Sequence, residues 1–125
     1  PGVGDRWNDA CQLGWWDDFV GPRKPVDTDR FFVICVNYFC GCYGSTGPSS
    51  INTETGKPYG GDFPRISFGD IVDSQLPLFD HLGIKKFHAV IGSSLGGMLG
   101  LNFSTRYPER VDRVISIACG LDSTT

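Results

Sequence analysis

One six-residue stretch limits the folds open to this chain more than anything else in it: GSSLGG, residues 92–97. Before it stands KFHAVIG, residues 86–92, and after it LGGMLGLNFSTRY, residues 95–107. The first is a short apolar run of the kind that makes a strand buried on both faces. The second is apolar nearly all round and stops at Pro108, which predicts a buried helix. A strand that turns at once into a helix through G-x-S-x-G, with Ser94 central, has the form of an elbow that lifts a nucleophilic hydroxyl out of the backbone. A loop merely rich in small residues is the bland alternative, and the two flanks argue against it.

The physics accounts for each residue type. Gly92 and Gly96 lack Cβ atoms, so the backbone can pass close to itself around a strained central residue. Ser94 then projects from the C-terminal edge of the sheet, where open α/β sheets place their ligands. The amide of Leu95, at the helix N-terminus, is expected to donate to a developing oxyanion. Ser93 misses the centre of the motif and is the poorer nucleophile.

Working outwards, VDRVISIAC (residues 111–119) and RFFVICVN (residues 30–37) read as further buried strands. Residues 67–83 predict a helix: Ser67 with Asp70 resembles a capping box, and Gly83 is a natural stop. Val72, Leu76 and Phe79, with Ile71, Leu78 and Leu82, supply its apolar face, while Pro77 should bend it. Gly96, Gly97 and Gly100 are poor helix formers, so their small size predicts close packing of the second helix on the sheet.

Residues 1–14 read as loop, and residues 13–21 as a short helix or an aromatic-anchored turn. Residues 38–64 form one long loop, whose Tyr38, Phe39, Tyr43, Tyr59 and Phe63 favour a packed structure. Gly41, Gly44 and Gly47 hint at a phosphate cradle, but Pro48 and the lack of a Lys-Ser/Thr pair count against it. The order strand, loop, helix, strand, helix, strand predicts an α/β fold with a parallel sheet and right-handed crossovers.

With 125 residues the chain is sized for one domain. A net charge of −3 gives no reason to expect nucleic acid or an anionic membrane as partner. No apolar run reaches the roughly 20 residues that span a bilayer. The start at Pro1, without a charged-then-apolar leader, suggests a trimmed or partial sequence. Five cysteines, Cys11, Cys35, Cys40, Cys42 and Cys119, show no spacing for a disulfide framework or a zinc site. No metal is expected, Cys35 and Cys119 read as small core residues, and the compartment reads as reducing and cytosolic.

A serine nucleophile needs a base, and here the chain runs out. In this kind of fold the order is Ser, then Asp or Glu, then His. The two histidines, His81 and His88, both precede Ser94, and although Asp112 and Asp122 follow it, no His comes after them. The chain is expected to lack its own catalytic base and to be inactive alone. Cys40 and Cys42 are rival nucleophiles, but they sit in a glycine segment with no helix N-terminus to activate them.

Four stretches carry a resemblance: GWWDDFVGPRKPVDTDRFFVICVN, GCYGSTGPSSINTETGKPYGGDFP, DHLGIKKFHAVIGSSLGGM and RYPERVDRVISIA. Together they resemble the homoserine O-acetyltransferase family. The resemblance implies a partial α/β-hydrolase fold over residues 1–125, the incomplete core that carries the nucleophile elbow. It implies that Ser94 takes an acyl group from acetyl-CoA (or succinyl-CoA) and passes it to the hydroxyl of L-homoserine, for methionine synthesis. No permanently bound cofactor, a cytoplasmic location and a homodimer when full length are also implied.

The match covers only the middle of such enzymes; their first strands, lid helices and triad Asp and His have no counterpart here. In that fold the strand before the WWDDFVG segment lies between those expected at residues 30–37 and 86–92, so the sheet would have a gap. Pro77 and the Cys40-Gly41-Cys42 run depart from the family pattern. A relative using another hydroxyl acceptor, a serine hydrolase and a non-catalytic α/β module are the alternatives.

Overall fold

The computed structural model describes Gly14, residues 16–41 and residues 44–120. The readings made for residues 1–13, Trp15, Cys42, Tyr43 and Asp122 lie outside the described residues. The chain divides into two units, one ending at Asn37 and the other beginning at Tyr38.

In the first unit, residues 16–19 form the aromatic-anchored turn rather than a helix, with Trp16 and Phe19 edge to face at 5.9 Å. The turn feeds β1 (Val20–Gly21), which pairs in parallel with β2 (Val26–Asp27). The Asp27 carboxylate accepts the N–H groups of Arg23 and Asp29, and these bonds hold its pKa below the ordinary carboxylate value. Residues 31–37 form no strand, contrary to the sequence expectation, and Phe32 is 78% exposed. A strand exists only where its N–H and C=O groups find a neighbouring strand. Among the described residues no ladder reaches this segment. Cys35, expected in a core, is therefore exposed.

The second unit begins with the long loop, which is tied by its own backbone. Cys40 N–H donates to Thr46 O, Gly60 N–H to Pro48 O, and Ile51 bridges Pro58. Tyr59 and Phe63 stack edge to face at 5.4 Å. No helix opens at Pro48 after the glycines, as a phosphate cradle would need.

The single helix expected over residues 67–83 is two. α1 (Phe68–Asp73) is opened by the Ser67–Asp70 capping box, and α2 (Leu76–His81) follows after Ser74 and Gln75. Pro77 explains the break: it has no N–H to continue α1, and it falls in the first turn of α2, where none is needed. Gly83 ends the pair with φ 71. Of the expected apolar face, Ile71, Val72 and Phe79 are buried, while Leu78 and Leu82 are exposed.

β3 (Val90–Ser93) then pairs in parallel with β4 (Val114–Ile117), and a bridge from Phe87 to Val111 extends the ladder at its N-terminal end. α3 (Leu95–Arg106) crosses between them and stops at Tyr107, before Pro108 opens a 3-10 turn. Gly97 and Gly100 do what their size suggests, but Gly96, expected to pack closely with them, has nothing within 4 Å of where its Cβ would stand. A Cβ on Gly100 would lie 3.2 Å from Val90 Cγ1 and 3.5 Å from Val114 Cγ1, so the helix backbone there rests directly on the valine side chains of the sheet.

Phe79, Phe87 and Phe103 form the aromatic centre, at 4.8, 5.9 and 6.2 Å, with Leu99 and Val111 buried as well. Each such ring pair adds about 0.5–1.5 kcal/mol beyond its area burial. At the rim Asp73 holds Arg106 at 2.6 Å and the Tyr107 hydroxyl at 2.7 Å. β4 is not buried on both faces as expected: Ile115 is 47% and Ile117 36% exposed. Among the described residues α3 covers one face of this two-stranded sheet, and the isoleucines alternate onto the other.

Candidate active site

The site is built where β3 becomes α3. Ser93 ends the strand in register with Ile117, and Leu95 begins the helix, so Ser94 alone makes the turn. Its backbone shows how: φ 52 and ψ −120, a conformation that a residue with a Cβ rarely adopts. Holding a non-glycine there costs on the order of 1–3 kcal/mol, and it persists only where the surroundings over-determine it. Three hydrogen bonds supply that constraint. The Ser94 N–H donates to Ile117 O at 2.9 Å, and the Ser94 carbonyl accepts from Gly97 and Met98 at 2.9 and 3.1 Å.

The glycines of the motif divide their work unequally. A Cβ on Gly92 would collide with the backbone of Gly96 and Gly97, so this position has room for hydrogen only. A Cβ on Gly96 would meet nothing within 4 Å. The expectation that both glycines must lack a Cβ is thus right for Gly92 and wrong for Gly96, whose backbone is the surface that Gly92 approaches.

Ser94 is exposed, and its side chain makes no capping bond to α3. The Leu95 and Gly96 amides have no backbone acceptor among the described residues. The outcome is a solvent-facing hydroxyl beside two unpaired donors at the positive end of a helix of 12 residues. Such donors stabilise charge that develops on an oxygen held near the hydroxyl.

The other candidates lie elsewhere. His88 precedes β3 and comes within 3.5 Å of Arg113, at the strand end opposite Ser94. Six residues at about 3.3 Å each put nearly 20 Å of chain between them. His81 is the last residue of α2, upstream of the loop that enters the same N-terminal end. Asp112 also lies there, bonded to Lys86 at 2.5 Å, and that bond holds its carboxyl below the usual range. None of the three is placed to serve Ser94. Cys40 is exposed, with its N–H engaged by Thr46 O. The described residues hold no cluster of groups that could bind a metal ion, and no helix long and apolar enough to cross a membrane.

Sequence reasoning missed the end of β4. The Ile117 carbonyl grips Ser94, and Cys119, expected in a core, is half-buried against the first turn of α3. Only the register of β3 on β4 reveals this, and no local pattern carries that register.

Comparison with known proteins adds an independent line. A family model described as alpha/beta hydrolase fold matches residues 11–124. Homoserine O-succinyltransferase of Azoarcus sp. (strain BH72) is 54% identical over 111 residues, covering 89% of this chain and 30% of that protein. The same-named protein of Laribacter hongkongensis (strain HLHK9) is 56% identical over 116 residues, covering 93% and 30%. Among solved structures, homoserine O-acetyltransferase from Bacillus anthracis superposes with a TM-score of 0.85 at 38% identity, over 89% of this chain and 31% of that one. Esterase E22 superposes with a TM-score of 0.81 at 44% identity, over 92% and 32%. The chain spans about 30% of the length of the curated relatives it matches.

Proposed function

Because the chain belongs to the alpha/beta hydrolase fold family, we propose that Ser94 is the nucleophile of an acyltransferase acting from acyl-CoA to L-homoserine. The observation that carries this reading is the strained backbone of Ser94, φ 52 and ψ −120, between β3 and α3. Its exposed hydroxyl and the free Leu95 amide support the same assignment, as do the names of the relatives.

Ser94 Oγ gives its proton to a base and attacks the thioester carbonyl, and the Leu95 N–H donates to the oxyanion that forms. Collapse breaks the C–S bond, and the CoA thiolate leaves with the proton from the base, so an acyl-serine remains. The homoserine side-chain hydroxyl then gives its proton to the same base and attacks the acyl-serine, and collapse releases Ser94, which takes that proton back. Dividing the transfer in two lowers each barrier. The base comes from outside the described residues, since neither His81 nor His88 is placed for it.

The acyl group is succinyl or acetyl, in line with the two names among the relatives, and the product enters methionine synthesis. On this reading the enzyme has no resident cofactor and acts in the cytoplasm as a homodimer. A second reading, ester hydrolysis, is favoured by the likeness to esterase E22. It differs only in letting water reach the acyl-serine before homoserine does.

The test is brief exposure of the full-length protein to acetyl-CoA or succinyl-CoA, followed by intact-mass measurement and peptide mapping. The adduct should map to Ser94. Ser94→Ala should abolish both adduct and turnover, while Cys40→Ser with Cys42→Ser should keep them. An adduct on either cysteine that survives Ser94→Ala, with continued turnover, would overturn the mechanism. Release of the acyl group at the same rate with and without homoserine would favour the hydrolase.

A further inference from the structure

The end of β4 touches the elbow in two places, and the mechanism above uses neither. In the first, the Ile117 carbonyl accepts the Ser94 N–H at 2.9 Å. In the second, Ser116 and Cys119 lie against Gly97 in the first turn of α3. A Cβ on Gly97 would stand 2.6 Å from Ser116 Oγ and 3.0 Å from Cys119 Sγ. These two side chains also meet each other, Oγ to Sγ at 2.5 Å. Ser116 reaches Gly97 because Val114 and Ser116 share the face of β4 that α3 covers. Cys119 reaches it after a turn at Ala118, whose φ of 49 is again unusual for a residue with a Cβ.

Resting on the reading of Ser94 as the acyl-accepting nucleophile, we propose that Ser116 and Cys119 are positioning residues for that reaction. Ile117 fixes the backbone at Ser94, and the Ser116–Cys119 pair fixes it again at Gly97. The Leu95 amide lies between these two points. Its direction relative to Ser94 Oγ is therefore set by the end of β4, not by α3 alone. A misplacement of 1 Å in such a constellation costs about a hundredfold in rate.

The experiment is the burst of p-nitrophenol released when the full-length protein meets p-nitrophenyl acetate. This activated ester reports acylation of the serine without homoserine or CoA. Ser116→Ala with Cys119→Ala should slow acylation about ten- to hundredfold. The KM for the ester and the pH midpoint should not change, because the base and the ester site are untouched. Cys119→Ser should acylate close to the wild-type rate.

Gly97→Ala should slow acylation further, and adding Ser116→Ala and Cys119→Ala to it should restore part of the loss. If the double variant fails to fold, Cys119→Ala against Cys119→Ser carries the same comparison. A double variant that acylates at the wild-type rate while its melting temperature falls would reduce the pair to a structural role and overturn the proposal. So would a Gly97→Ala defect that the added substitutions leave untouched. A wild-type protein without a burst, or one whose burst survives Ser94→Ala, refutes the acyl-serine reading itself, and the positioning proposal falls with it.

Discussion

Residues 30–37 and residues 86–92 read almost alike, each a short apolar run with β-branched and aromatic members, yet only the second gives a strand. β3 has β4 beside it over four residue pairs, and α3 packs on its face. The run at 30–37 has no ladder among the described residues, and Phe32 lies in solvent. Strand propensity is a statement about fit to a pleated, half-buried surface, and without that surface it specifies nothing. The elbow differs in kind. Its strand end, turn and helix start are contiguous, so one short stretch of chain contains most of what shapes it, and the Ile117 carbonyl on Ser94 is the part that lies elsewhere.

The largest expected effect addresses the failed strand directly. In the 125-residue chain the backbone amides of residues 32–36 should exchange freely with solvent. In the full-length protein, if other segments pair with them, exchange should slow on the order of a thousandfold, as roughly 4 kcal/mol of opening free energy requires. Hydrogen-exchange mass spectrometry of both forms measures this. Equal exchange would show that residues 30–37 are irregular for a reason other than a missing neighbour.

A smaller effect separates the two motif glycines. Gly92→Ala should destabilise the full-length protein by about 1–3 kcal/mol, the cost of forcing a methyl group into a filled space. Gly96→Ala should be neutral or stabilising by up to about 1 kcal/mol, because it meets open space and favours the helix. Urea denaturation of the pair decides the matter. Equal losses would mean that the motif tolerates no side chain at either position and that the asymmetry is not real.

The smallest effect concerns the rim that ties α1 to α3. The Arg106 bond, and after it the Tyr107 hydroxyl, hold the Asp73 carboxyl below its ordinary value of 3.8. A depressed pKa contributes stability that is present above the unfolded value and is lost as pH falls through the folded one. Stability should therefore decline below about pH 4, where Asp70 and Asp112, also depressed, contribute in the same direction. Asp73→Asn should flatten that acid limb slightly, since the group is exposed and such pairs contribute little. Thermal melts across pH 2–6 would show it, and an unchanged limb would remove Asp73 from the account.

Legibility followed the same division. The Ser67–Asp70 box, the stop at Gly83, the close packing of Gly97 and Gly100 and the place of Ser94 could all be read, because each is written within one or two turns of chain. The break at Pro77 was half legible: a bend was expected, but proline in the first turn of a new helix is the cheaper solution. The exposure of Ile115 and Ile117 and the absence of a strand at residues 30–37 depend on neighbours, which propensity does not encode. The contact from Ile117 to Ser94 is 23 residues long in sequence and rests on sheet register alone.

The backbone of Ser94 has one more consequence, in evolutionary terms. Its φ of 52 and ψ of −120 suit glycine better than any residue with a side chain. Ser94→Gly would relieve the strain and leave a sturdier fold without the hydroxyl. Drift under selection for folding alone would therefore favour glycine at this position. On the reading of Ser94 as a nucleophile, a serine kept there trades durability for chemistry, and a lineage that lost the chemistry would be expected to surrender this residue early.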